Sequence, residues 1–96
     1  MKIKQIPAQI GYNNVQSKRI VNNGNQQVNL LSLEQGSEIP EHTSTKDATI
    51  VVLEGKLLFN IQSENHELEA MDSFSFAAAE KHSLTAVENS KILLIQ

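Results

Sequence analysis

Hydrophobic and polar residues alternate with a period of two along several short stretches of the chain. In residues 56–62, Leu57, Phe59 and Ile61 fall on one side of the pattern, as expected for a strand with one buried face. Residues 48–53 are β-branched and almost continuously apolar, which is typical of a strand covered on both faces. Further strands are predicted at 18–21, 27–33, 66–69, 73–76, 82–87 and 91–95.

Turn residues separate these strands. The sequence Asn-Asn-Gly-Asn at 22–25 and the pair Glu54-Gly55 tolerate positive φ angles and predict tight turns. Residues 34–40 are predicted to form a loop at an edge or a corner, because Pro40 cannot donate a hydrogen bond to a central strand. Short strands at this spacing predict an all-β fold, an antiparallel sandwich or barrel.

Two segments depart from the alternation. Residues 76–81 have high helix propensity but are too few for a stable helix, so a loop or a single turn is expected. Residues 1–17 fit an N-terminal arm or an edge strand, or a brief helix, and the barrel is expected at 18–96. Without an internal repeat or a linker, the 96 residues fit one domain.

Composition narrows the classes of partner. Three Phe, one Tyr and no Trp leave the core to aliphatic side chains. A formal charge of −3 with scattered Lys and Arg argues against nucleic acid. No apolar run approaches the roughly 20 residues needed to cross a bilayer, and the first 12 residues lack a signal-peptide pattern. We expect a cytoplasmic protein with no membrane partner.

The absence of cysteine leaves histidine and carboxylate side chains as the possible metal ligands. His42 follows Gly36 after five residues, Gly55 ends the 48–53 strand, and His82 begins a later one. This spacing resembles that of the small single-domain cupins, whose motifs read G-x5-H-x-H-x3/4-E-x6-G and G-x5-P-x-G-x2-H-x3-N. The resemblance covers residues 30–95 and implies a small antiparallel β-barrel, or jelly roll, of cupin type.

The second motif is matched less fully than the first. His82 holds its histidine position, and Asp72 follows the position of the first glycine, which is Met71 here. The proline, second glycine and asparagine positions hold alanine: Ala77, Ala79 and Ala86.

Metal-binding cupins supply three histidines and one glutamate to the metal, and the resemblance carries over only half of this set. His42 and His82 remain, whereas Ser44 and Ala48 occupy the other two ligand positions. Asp47 is one residue out of step and is expected to face away. A divalent transition metal held by His42 and His82 would be bound weakly. The resemblance also implies an inward-facing, rather apolar pocket, lined by His42, Ser44, Ala48, Phe76, His82 and Leu84.

Three functional hypotheses follow. In the first, the protein binds a small, largely apolar molecule in the barrel, without established catalysis. In the second, it is a metal-dependent dioxygenase or isomerase with an incomplete two-histidine site. In the third, it is a structural or sensor module acting through a dimer. No residue is assigned a catalytic role. A homodimer is expected, since small cupins commonly pair and the outward face of 48–53 carries Val51 and Leu53.

Overall fold

A computed structural model describes residues 1–96, and nearly all of its regular structure is β-strand. A short 3-10 helix at Ile6–Gln9 comes first. Nine strands follow: β1 Val15–Asn22, β2 Gln27–Leu33, β3 Glu38–His42, β4 Ala48–Glu54, β5 Lys56–Ile61, β6 Glu64–Glu69, β7 Ser73–Phe76, β8 His82–Ala86 and β9 Ser90–Ile95.

The strands form two antiparallel sheets. One has the order β1-β2-β9-β4-β7 and the other has the order β3-β8-β5-β6. Successive strands pass repeatedly from one sheet to the other, so the architecture is that of a jelly roll. The prediction of an all-β jelly-roll fold is confirmed. The sheets do not close into a barrel, because strand pairing stays within each sheet.

The core lies between the two sheets and consists almost entirely of residues at alternate strand positions. This periodicity arises because successive side chains of a strand point to opposite faces. Phe59 occupies the centre, fully buried, with its ring centroid 5.0 Å from that of Phe74 and 5.2 Å from that of Phe76. The other buried members are aliphatic: Leu31, Leu33, Ala48, Ile50, Val52, Leu57, Ile61, Leu68, Leu84, Ala86 and Ile92.

One predicted loop is partly a strand. The loop expected at 34–40 ends earlier, because β3 begins at Glu38 and contains Pro40. Since β3 is the outer strand of its sheet, the missing N–H of proline can face away from the ladder at no cost. That prediction was wrong for residues 38–40.

The first 14 residues form an arm that lies against the outer face of the five-stranded sheet. Its carbonyl groups accept hydrogen bonds from the sheet: Ser32 Oγ donates to Gly11 O at 2.8 Å, and Lys91 Nζ donates to Pro7 O at 2.6 Å. Tyr12 Oη donates to Glu54 Oε1 at 2.9 Å. Burial, helped by this hydrogen bond and by the glutamate charge, raises the pKa of Tyr12 from its ordinary 10.0 to about 12.

For residues 1–17 the predicted alternatives were an arm, an edge strand or a brief helix. The structure has an arm over residues 1–14 and an edge strand, β1, from Val15 onward. On the same outer face, Val51 and Leu53 are half-buried. The homodimer inferred from these two residues stays a prediction. No helix has both the length and the apolar character needed to span a membrane.

Candidate functional site

His42 and His82 lie side by side although 40 positions of sequence separate them. They are directly opposed partners on the neighbouring strands β3 and β8. Opposed residues of an antiparallel pair present their side chains to the same face. The two imidazole rings therefore meet, with centroids 4.3 Å apart and an edge-on angle of 61°.

The two loops next to these histidines are tied to each other. Residues 43–47 follow β3, and residues 77–81 precede β8. Ala79 N donates to Ser44 O at 2.9 Å, and Ala78 N donates to the Asp47 carboxylate at 2.9 Å. Asp47 thus holds the two loops together. These bonds fix the separation of the strand ends that carry the two rings.

Each imidazole is also held by the backbone. Nδ1 of His42 lies 2.8 Å from Pro40 O, and Nδ1 of His82 lies 2.8 Å from Glu80 O. A carbonyl oxygen can only accept, so both Nδ1 atoms are the donors. The Nε2 atoms have no partner within the chain.

The two rings differ in exposure. His82 is 4% exposed and packs against Phe76, with ring centroids 4.5 Å apart, and more distantly against Phe59 at 5.7 Å. His42 is exposed. His82 therefore forms part of the inner wall, whereas His42 stands where that wall reaches the surface.

A cavity of about 170 Å³ lies between the sheets at this point. Seven of its nine lining residues carry hydrocarbon side chains and the other two are the histidines: Leu31, Ile39, His42, Ile50, Phe76, His82, Leu84, Ile92 and Leu94. Such a space is apolar except for one pair of imidazole nitrogens.

Four of the six predicted site residues line this cavity: His42, Phe76, His82 and Leu84. Ser44 and Ala48 lie elsewhere. The Ser44 hydroxyl turns back within its loop and donates to Lys46 O at 2.9 Å. Ala48 is buried in the core at the first position of β4 and does not line the cavity.

Sequence reasoning missed five lining residues, which come from four strands: Leu31, Ile39, Ile50, Ile92 and Leu94. The alternation signal was present for Ile50, which shares its strand face with Ala48. Nothing in the sequence showed that β2, β3 and β9 would meet β8 at the same depth.

A bound metal ion finds an incomplete set of donors here. No group of three or more His, Asp or Glu side chains converges anywhere in the structure. Two Nε2 atoms alone do not fit the three or four protein ligands that hold a transition metal tightly. The predicted metal ligands His42 and His82 are thus adjacent, but the third and fourth donors are missing.

A larger surface cleft, of about 420 Å³, runs past Asp47 and Glu80, whose carboxylates already accept hydrogen bonds within the chain. The Glu80 carboxylate accepts from Ala77 N and from Gln62 Nε2, and Asp47 accepts from Ala78 N. These carboxylates shape loops, so the enclosed cavity remains the candidate site.

Comparison with known proteins agrees with the motif spacing. A family model described as "Cupin domain" matches residues 29–95, which is more than half of the chain. No curated protein matches the chain.

Several solved structures are similar over nearly the whole chain. A conserved protein of unknown function from Streptococcus pyogenes is 26% identical, with a TM-score of 0.87 over 98% of this chain and 84% of that one. A cupin superfamily protein from Desulfitobacterium hafniense is 18% identical, with a TM-score of 0.89 over 100% and 89%. An RmlC-like cupin from Desulfovibrio desulfuricans is 19% identical, with a TM-score of 0.88 over 99% and 94%.

Proposed function

The chain belongs to the cupin domain family, and we propose that it binds one small, largely apolar molecule in the cavity between its two sheets. The observation that carries the proposal is the lining of that cavity. Hydrocarbon side chains make up all of the wall except the two imidazoles. Concave, mostly apolar sites with few polar groups are the usual form of a small-molecule site.

The state of the polar groups also supports binding. Every buried side-chain nitrogen and oxygen that solvent cannot reach has a hydrogen-bond partner. The Nε2 atoms of the histidines have none within the chain, so they are open to a molecule in the cavity. A polar pair left available in an apolar wall is suited to orienting a ligand.

Binding is better supported than catalysis. The two imidazoles are the only lining groups that could accept or donate a proton. Members of the family often bind a metal, but the donors present here do not form a three-ligand site. The metal-dependent alternative therefore rests on the adjacent His42–His82 pair alone.

The proposal can be tested by filling the cavity. Leu94 lines it, whereas the adjacent Leu93 points to the outer face of the same strand. A set of small aromatic and aliphatic probes is screened against wild type, Leu94→Phe and Leu93→Phe by thermal unfolding. A probe at ten times its Kd should stabilise the wild type by about 1.4 kcal/mol, which raises Tm by roughly 6 °C.

Leu94→Phe should abolish the shift, and the matched control Leu93→Phe should retain it. Equal shifts in all three proteins would place binding outside the cavity. If no probe shifts the wild type, the proposal fails.

A further inference from the structure

We propose that the ligand of this cavity is a neutral, single-ring molecule that carries a hydroxyl or N–H donor, of the size of a phenol, and that an Nε2 atom of the histidine pair accepts a hydrogen bond from it. This inference rests on the proposed function, because it assigns a chemical class to the ligand of the same cavity.

The protonation pattern of the pair follows from its backbone partners. Both Nδ1 atoms donate to carbonyl oxygens, Pro40 O and Glu80 O, at 2.8 Å. A neutral imidazole has one N–H and one bare nitrogen, so the proton at Nδ1 leaves Nε2 with a lone pair. His42 and His82 thus both present hydrogen-bond acceptors.

The rest of the wall cannot satisfy these acceptors. Its seven other side chains are hydrocarbon and hold neither an O–H nor an N–H. An entering molecule must therefore supply the donor. A ligand with a donor replaces the hydrogen bond that water makes to Nε2, whereas a ligand without one leaves the acceptor unpaired.

Anionic ligands fit poorly for the same reason. No Lys or Arg side chain lines the cavity. A carboxylate would bring its lone pairs towards those of the two Nε2 atoms, and no cation would offset the cost of removing the charge from water. The wall therefore selects against acids that have the same ring.

Volume sets the size of the ligand. An apolar cavity of about 150 Å³ accommodates a benzene molecule, and this one has about 170 Å³. One six-membered ring with one small substituent fills it. The exposed ring of His42 marks the mouth, so the donor lies near the entrance and the ring packs against the inner hydrocarbon wall.

Three probes of similar shape separate the possibilities: phenol, toluene and benzoate. Each is titrated into the wild-type protein while the methyl resonances of Leu84 and Ile50 are followed by NMR. A chelator is present, and the solution is held at about pH 8, above the range in which imidazole normally titrates. Phenol should bind at least tenfold more tightly than toluene, and benzoate should bind more weakly than both.

Variants locate the origin of the preference. In His42→Leu/His82→Leu, the affinities for phenol and toluene should become equal within about threefold. His66→Leu is the matched control. The ring of His66 lies against Phe74, with centroids 4.7 Å apart, and does not line the cavity, so this variant should keep the wild-type ratio.

The outcomes distinguish this inference from the proposed function. If toluene binds the wild type as tightly as phenol, or benzoate binds best, the donor class is wrong while cavity binding stands. If none of the three shifts the Leu84 and Ile50 resonances, both the inference and the proposed function fall. The ratio of the wild-type affinities for phenol and toluene tests the inference even if the double variant does not fold.

Discussion

The two ends of the space between the sheets are filled in different ways. At one, which we call the sealed end, Leu33, Val52 and Leu57 are fully buried and Ala86 is 2% exposed. At the other, the cavity end, His42, His82, Phe76, Leu84 and Leu94 surround about 170 Å³ of space. Strands β2, β4 and β8 contribute side chains to both ends, so the strand pattern alone does not decide where a cavity forms.

The difference comes from the side chains and from the connections around them. At the sealed end the link from β4 to β5 is Gly55, which packs against Asn89 and Ser90. The arm also reaches this end, where Tyr12 and Lys91 meet Glu54. At the cavity end, the carbonyls of Pro40 and Glu80 accept hydrogen bonds from the two imidazoles and orient the rings. Close backbone packing fills one end, and two oriented polar rings line the space at the other.

The largest expected effect is at the glycine of the sealed end. Gly55 has φ +93°, and a Cβ there would lie 2.2 Å from Asn89 O, a backbone atom. Gly55→Ala combines left-handed strain with a backbone clash and should cost about 4 kcal/mol of unfolding free energy. Gly24→Ala is the control, since Gly24 has φ +87° with no atom within 4 Å of a new Cβ. Its cost should be about 1–2 kcal/mol. Urea unfolding measures both, and equal losses would show that the close contact does not matter.

Enlarging a core side chain should lower the unfolding free energy more at the sealed end than at the cavity end, although by less than Gly55→Ala does. Ala86→Leu inserts a larger side chain where the core is already full and should cost about 1–3 kcal/mol. Leu94→Phe enlarges a side chain that faces the cavity and should cost less than about 1 kcal/mol, because the cavity can take up the extra atoms. Thermal and urea unfolding of the two variants tests the contrast. A greater loss for Leu94→Phe would contradict the division into a sealed end and an open one.

The smallest effect is at the arm and depends on pH. The pKa of Tyr12 is raised from 10.0 to about 12 in the folded protein by burial, with the Glu54 hydrogen bond and charge adding to it. The unfolded chain therefore loses the phenol proton first as the pH rises above 10. The contribution of Tyr12 to stability is complete below pH 10 and is lost as the pH approaches 12.

Comparison with Tyr12→Phe separates the contribution of Tyr12 to stability from that of the lysines, which titrate in the same pH range. The decline in unfolding free energy between pH 10 and 12 should be steeper in the wild type. Tyr12 is the only tyrosine, so phenolate absorbance reports its pKa alone. If the phenolate absorbance of the folded protein has its midpoint near pH 10, the arm does not bury Tyr12. Ligand binding at the cavity end should be the same in the wild type and in Tyr12→Phe.

The local pattern of hydrophobic, polar and turn residues was sufficient to predict most of the strands. The predicted strands at 27–33 and 73–76 coincide with β2 and β7, because alternation and turn residues act over a few neighbours. β3 escaped prediction since Pro40 suppresses the strand signal, and its pairing with β8 depends on residues some 40 positions away.

The sequence by itself determined the all-β class, the family, and four of the lining residues, the two histidines among them. These follow from residue spacing, which the chain carries directly. Only the tertiary structure decided that the imidazoles touch, that Ser44 and Ala48 stand away from the cavity, and that no third donor joins the pair. Those outcomes depend on strand register between distant segments and on the depth at which six strands meet. A register is fixed by the packing of the whole core, and no single stretch of residues encodes it.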